Sequence, residues 1–128
     1  MDLPIAGAPA PPARPTAPAP PAPSEARRQE LDTLVAEHDL VLFMKGTPEA
    51  PMCGFSARAV AALQQLGRPF HAVNVFEAGP DPHTTLRELA AWADFPTLPQ
   101  VWVKGELIGG SDVAIDMLES GELERMLA

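Results

Sequence analysis

Proline decides which part of this chain can build a core. Nine of its sixteen prolines fall within the first 23 residues, a stretch made almost wholly of Pro and Ala. Such a segment is short of N–H donors and has no periodic apolar face to bury. Residues 1–23 therefore read as a solvated, disordered and partly polyproline-II tail, a tether rather than a domain. Folding falls to residues 24–128, enough chain for one hydrophobic core. The tail's Asp2 and Arg14 cancel, so the net charge of −8 belongs to the folded part. Such a surface repels phosphate backbones and anionic lipids, which argues against nucleic acid and membrane as partners. No apolar run approaches the ~18 residues of a membrane span. The first residues also lack the basic region of a secretory signal, so the expected location is the cytoplasm.

Past the tail, apolar periodicity switches between helix and strand. Ser24 can cap a helix that carries Leu31, Leu34, Val35 and His38 on one face. Leu40-Val41-Leu42-Phe43-Met44 is a continuous apolar run, of the kind buried on both faces of a sheet. Lys45 to Met52 is a loop, and Ala59, Ala62, Leu63 and Leu66 return to helical spacing until Gly67 stops them. Phe70 to Val75 reads as a second strand, Glu77 to Thr84 as a long loop, and Leu86 to Trp92 as a short helix. Val101-Trp102-Val103 and Leu107-Ile108 flank a turn and predict a hairpin. A helix opens after Gly109-Gly110, and Leu123, Met126 and Leu127 suggest a last turn. The order is α, β, α, β, α, β, β, α, α. It predicts an α/β sandwich: a four-stranded mixed sheet with helices on both faces, of thioredoxin-like type.

One cysteine, Cys53, limits the chemistry. A single thiol makes no internal disulfide, no CxxC pair and no protein-only zinc site. A lone cysteine serves either as a small buried hydrophobe or as a reactive thiolate. Here Gly and Pro on either side mark an exposed turn, and a helix start directly after it offers unpaired N–H donors. Lys45 adds a cation at the same sheet edge. Thr97-Leu98-Pro99-Gln100 leads into the third strand, where a cis Leu98–Pro99 bond would free the Leu98 backbone for an extended peptide. Asp112, at another helix start, either caps that helix or binds an amino group. Met44, Met52, Met117 and Met126 read as packing, and Glu119, Glu122 and Glu124 as a solvated face.

Four blocks stand in register: Phe43-Met44-Lys45-Gly46-Thr47-Pro48, Cys53-Gly54-Phe55-Ser56, Pro96-Thr97-Leu98-Pro99-Gln100 and Gly109-Gly110-Ser111-Asp112. Together they resemble the monothiol glutaredoxins with a CGFS active site, over about residues 24–128. The resemblance implies a thioredoxin-like fold, a cis Leu98–Pro99 bond and a 2Fe–2S cluster shared by two protomers. Each protomer then gives the Cys53 thiolate, its metal ligand, and each of two glutathiones gives another. The same resemblance assigns glutathione to Lys45, Arg87, Leu98, Ser111 and Asp112. Lys45 meets a terminal carboxylate, Leu98 pairs with the cysteinyl backbone, Ser111 and Asp112 N–H groups hold the γ-glutamyl carboxylate, and the Asp112 side chain takes the amine.

The chain departs from the family pattern in places. The Arg or Lys usual six residues before the aromatic of the third helix is Leu86 here. Arg87 follows one step, about 100°, around the helix. The loop from Val75 to Thr84 is longer than usual, Phe95 stands where Trp is common, and Ser111 stands where many relatives carry a second cysteine. The expected function is a glutathione-dependent 2Fe–2S scaffold or carrier that delivers clusters to apo-proteins. It acts as a homodimer through the bridging cluster or with a BolA-like partner. The alternative is a monothiol thiol–disulfide oxidoreductase acting on glutathione mixed disulfides, with Cys53 as the catalytic nucleophile.

Overall fold

The computed structural model describes residues 23–79 and 81–128, so the expected tail, apart from the buried Pro23, lies outside the described residues. Leu40–Met44 forms β1, and all five of its side chains are buried. A strand apolar on both faces needs a layer on each. Leu40, Leu42 and Met44 pack with Ala59, Leu63 and Leu123, from α2 (Gly54–Leu66) and α5 (Glu122–Leu127); α4 (Ser111–Ser120) adds Ala114 on the same side. Val41 and Phe43 face α1 (Glu25–Glu37) and α3 (Pro82–Ala93), among Leu31, Val35 and Leu89. β1 pairs in parallel with β2 (His71–Asn74) and antiparallel with β3 (Gln100–Val103). A hairpin carries β3 into β4 (Glu106–Gly109), giving the order β2-β1-β3-β4. This is the expected thioredoxin-like sandwich, and it gathers the C-terminal end of β1 and the N-terminal end of β3 at one edge.

Local chemistry explains the helix ends. The Ser24 hydroxyl accepts the Arg27 N–H at 3.1 Å and starts α1. Gly67 adopts φ 81°, open to glycine without strain, and closes α2. α3 corrects the expected loop: it begins at Pro82, not Leu86. Asp81 caps it, accepting the Thr84 N–H at 2.9 Å, and Pro82 fills a first-turn position whose N–H has no helical partner anyway. Arg27 then holds the preceding loop, donating to the Ala78 carbonyl at 2.7 Å. His38 closes α1 as its C-cap, in extended conformation. One further expectation is corrected. Met52 is 66% exposed rather than packed, whereas Met44 is fully buried.

His38 and His71 stack with ring centroids 4.2 Å apart and planes within 4°, at the end of the sheet away from Lys45. Burial, and then the charge of His38, hold the His71 imidazole below its ordinary value. Neutral His71 is thus favoured in the fold, and the unfolded chain binds that proton more readily. The resulting stability is whole above the ordinary histidine range and is lost as pH falls through and below it. Melting temperature is expected to drop between pH 7 and pH 5, and to drop less in His71→Asn. Parallel curves for the two proteins would disprove the assignment.

Candidate functional site

The loop between β1 and α2 is held by its own backbone. Met52 N–H donates to the Lys45 carbonyl at 2.8 Å, and Thr47 and Ala50 exchange backbone bonds. Gly46 is buried at φ 95° and donates to Asn74 Oδ1 at 3.1 Å, which ties the loop to the end of β2. Cys53 follows as the N-cap of α2, where its sulfur accepts the Ser56 N–H at 3.3 Å. The fully buried Ser56 hydroxyl accepts the Lys45 N–H at 3.1 Å and lies 3.3 Å from Cys53 Sγ. One hydroxyl therefore joins the end of β1 to the thiol.

These contacts set the thiol's acidity. Burial pushes the Cys53 thiol up. The Ser56 hydroxyl, the Ser56 and Phe55 N–H groups and the Lys45 charge pull it down, and the result lies below the ordinary thiol value. Cys53 is half-buried and forms no disulfide, so the thiolate is open to reagents. Ser56→Ala removes the hydroxyl that turns its proton to the thiolate, and leaves the Lys45 N–H unpaired at a cost of ~1–3 kcal/mol. The pH profile of Cys53 alkylation is expected to move to higher pH in that variant. An unmoved profile would show that the helix N–H groups alone set the acidity.

Two cavities lie along residues 95–98, with Phe55, two residues after Cys53, in the wall of one and Lys45 in the wall of the other. The first, of about 380 Å³, is lined by Phe55, Leu98, Pro99, Ser111, Asp112 and Val113. The other, about 220 Å³, has Lys45, Leu86 and Gln100 in its wall. Phe95, Thr97 and Leu98 belong to both walls, so the two are neighbours. The Leu98–Pro99 bond is cis. Gln100 is fully buried; it donates to the Phe95 carbonyl at 3.4 Å and accepts the Trp102 indole N–H at 3.2 Å, fixing the segment between.

The structure thus brings Lys45, Cys53, Leu98, Ser111 and Asp112 to one edge. Arg87 is not brought there: it is exposed on α3, and Leu86 takes the place in the cavity wall. Asp112 does not cap α4. Gly110 is the N-cap and no side chain bonds there, so the first N–H groups of α4 have no side-chain partner, and residues 110–113 line the cavity. Instead, Asp112 Oδ1 lies 3.3 Å from Arg58 Nη2. Arg58 and Val113 join this edge without having been expected there. Among the described residues, Met52, Phe55 and Val113 are the exposed large hydrophobics. An apolar residue beside the cysteine and another just after Ser111-Asp112 were the available signals.

The glutaredoxin family model matches residues 40–108, spanning the first strand to the hairpin. Glutaredoxin 4 of Buchnera aphidicola is 46% identical over 99 residues, covering 77% of this chain and 88% of that protein. "Probable monothiol glutaredoxin 2" of Rickettsia felis is 46% identical over 97 residues, covering 76% of this chain and 89% of that protein. This chain belongs to the monothiol glutaredoxin family. Among solved structures, a reduced apo glutaredoxin of poplar superposes on this glutaredoxin with a TM-score of 0.67. It is 38% identical, over 81% of this chain and 92% of that one. A buckwheat glutaredoxin solved as a glutathione complex also gives 0.67, at 28% identity over 82% and 94% of the two chains. Among the described residues, no helix is long and apolar enough to cross a membrane.

Proposed function

We propose that this glutaredoxin carries a 2Fe–2S cluster held between two copies of the chain with the help of two glutathiones, and passes it to apo-proteins in the cytoplasm. The observation that carries the reading is the position of the chain's one thiol: a half-buried N-cap, lowered in pKa, between Lys45 and Phe55 in sequence, each of which lines one of two neighbouring cavities, the second shared with Asp112. The cluster is cargo and takes four thiolates. Each chain has one cysteine, so one copy alone supplies one of the four. Two Cys53 thiolates and two glutathione thiolates complete the set, and soft sulfur donors suit iron–sulfur chemistry.

Four residues at this edge hold the tripeptide. Lys45 pairs with the glycine carboxylate, the Leu98 backbone bonds the cysteinyl unit like an added strand, and the free N–H groups of Ser111 and Asp112 take the γ-glutamyl carboxylate. The Asp112 carboxylate takes the amine. Arg87 has no part, because Leu86 lies at the wall in its stead. A BolA-like protein in place of the second copy would use the same thiol. The test is anaerobic reconstitution with iron and sulfide, with and without glutathione, read by absorbance and sedimentation. A brown dimer that needs glutathione supports the reading, and a colourless monomer in both mixtures overturns it.

The lowered Cys53 pKa favours a second reading, thiol–disulfide exchange. The thiolate would attack the glutathionyl sulfur of a mixed disulfide, releasing the substrate thiolate and forming a Cys53–glutathione disulfide. A second glutathione thiolate then attacks that disulfide, releasing oxidised glutathione and restoring Cys53. Rapid turnover by a cluster-free monomer is the result that would favour it.

Asp112→Ala separates binding from folding. Losing a charge-assisted contact is expected to weaken glutathione binding by ~1.5–3 kcal/mol. The exposed Arg58 pair and the uncapped helix start leave little stability to lose, so the melting temperature should barely move. Calorimetric titration beside a thermal melt checks both; a large drop in melting temperature with unchanged affinity would reverse the assignment.

A further inference from the structure

Arg58, the ion-pair partner of Asp112, makes no contact with glutathione in the reading above. Arg58 leaves α2 five residues after Cys53, and its Nη2 lies 3.3 Å from Oδ1 of Asp112, the second residue of α4. The two side chains are 53% and 76% exposed. Pairs so open to water contribute little to a fold. This one nevertheless bridges two helices: Asp112 lines the 380 Å³ cavity, and Arg58 stands behind it in the wall of the groove between α2 and α4, reaching the cavity only through Asp112. Next to it stand the uncapped N–H groups of α4. Negative charge, positive charge and N–H donors thus meet within one residue's reach. That is the complement of an α-amino-acid terminus, where an ammonium and a carboxylate share one carbon.

We infer that Arg58 is a specificity-determining residue that binds the α-carboxylate of a γ-glutamyl terminus while Asp112 binds its ammonium. The inference rests on the reading of this edge as a glutathione site. A γ-glutamyl carboxylate seated on the α4 N–H groups lies close to the like-charged Asp112. The partial charge of a helix start, about half a unit, only partly offsets that repulsion. A guanidinium offsets it, because its five donors lie in one plane and can serve two carboxylates at once. Arg58 therefore keeps Asp112 in place and admits a second anion beside it. A plain amine or a plain acid satisfies half of the arrangement, so the pair selects the zwitterion.

The test titrates the full chain, Arg58→Gln and Arg58→Lys by calorimetry with three tripeptides. These are glutathione, its γ-aminobutyryl analogue without the α-carboxylate, and its glutaryl analogue without the ammonium. In Arg58→Gln, glutathione affinity is expected to fall about fivefold, and the preference for glutathione over the carboxylate-free analogue to shrink by the same factor. The preference over the ammonium-free analogue should persist, Arg58→Lys should recover part of the loss, and melting temperatures should stay level. Three results overturn the inference while leaving the glutathione site intact. They are unchanged preferences, tighter glutathione binding in Arg58→Gln (Arg58 then competes with the ammonium), and a loss confined to ammonium discrimination. If the unaltered chain binds none of the three, the glutathione reading falls and the inference falls with it.

Discussion

Cys53→Ser is expected to give a colourless monomer from the reconstitution that turns the unaltered protein brown and dimeric, with about one cluster per two chains. The substitution removes the only thiol in each chain, so two of the four thiolates vanish together. Its effect on the fold runs the other way. Cys53 caps α2 by accepting the Ser56 N–H, and serine is among the better N-caps, with an oxygen able to accept the same bond. Melting temperature should therefore hold or rise slightly while the colour is lost completely. That combination separates a missing ligand from a damaged protein. Omitting glutathione from the unaltered chain removes the other two thiolates and should give the same colourless monomer. A stable cluster in Cys53→Ser, or one that forms equally well without any small thiol, would defeat the carrier reading.

Much of this site could be read from residue order because it depends on chain-local chemistry. Gly54 after Cys53 and the prolines before it marked a turn. The apolar run Leu40–Met44 placed that turn at the edge of a buried strand, where Lys45 stands. The offset between Leu86 and Arg87 was also legible, since helical phase alone turns one toward the cavity and the other to solvent. Contacts between elements distant in sequence were less legible. Arg58 reaches Asp112 only because α2 and α4 pack on the same face of the sheet, and no local pattern announces that pairing. The start of α3 was missed for another reason. Pro82 looks like a loop residue until Asp81 is seen to cap Thr84, after which the same proline is a first-turn helix residue. Asp112 carried two local readings, and the identity of the cap, Gly110, removes the capping one.

Gly46→Ala is expected to be the most damaging single-methyl change in the active-site loop. Gly46 sits at φ 95°, where an L side chain is strained by ~1–3 kcal/mol. Space is lacking as well. A Cβ there would lie 2.6 Å from the Ala50 carbonyl oxygen and 2.7 Å from the Met52 nitrogen. Both are backbone atoms, so no side chain can swing aside, and the loop itself must open. Opening it breaks the Met52-to-Lys45 bond and the bridge between Gly46 and Pro51 that hold Cys53 at the helix start. Strain and overpacking together cost roughly 2–4 kcal/mol, or about 10–20 °C in the melt of a domain this size. Gly54→Ala adds the same methyl eight residues on, where nothing lies within 4 Å and φ is not positive. It should melt within ~1 kcal/mol of the unaltered chain. Because the loop carries Cys53, Gly46→Ala should also return the thiol toward ordinary acidity, seen as a shift of its alkylation profile to higher pH. Equal melts for the two glycine variants would show that the loop yields without strain, and that Cys53 is placed by α2 alone.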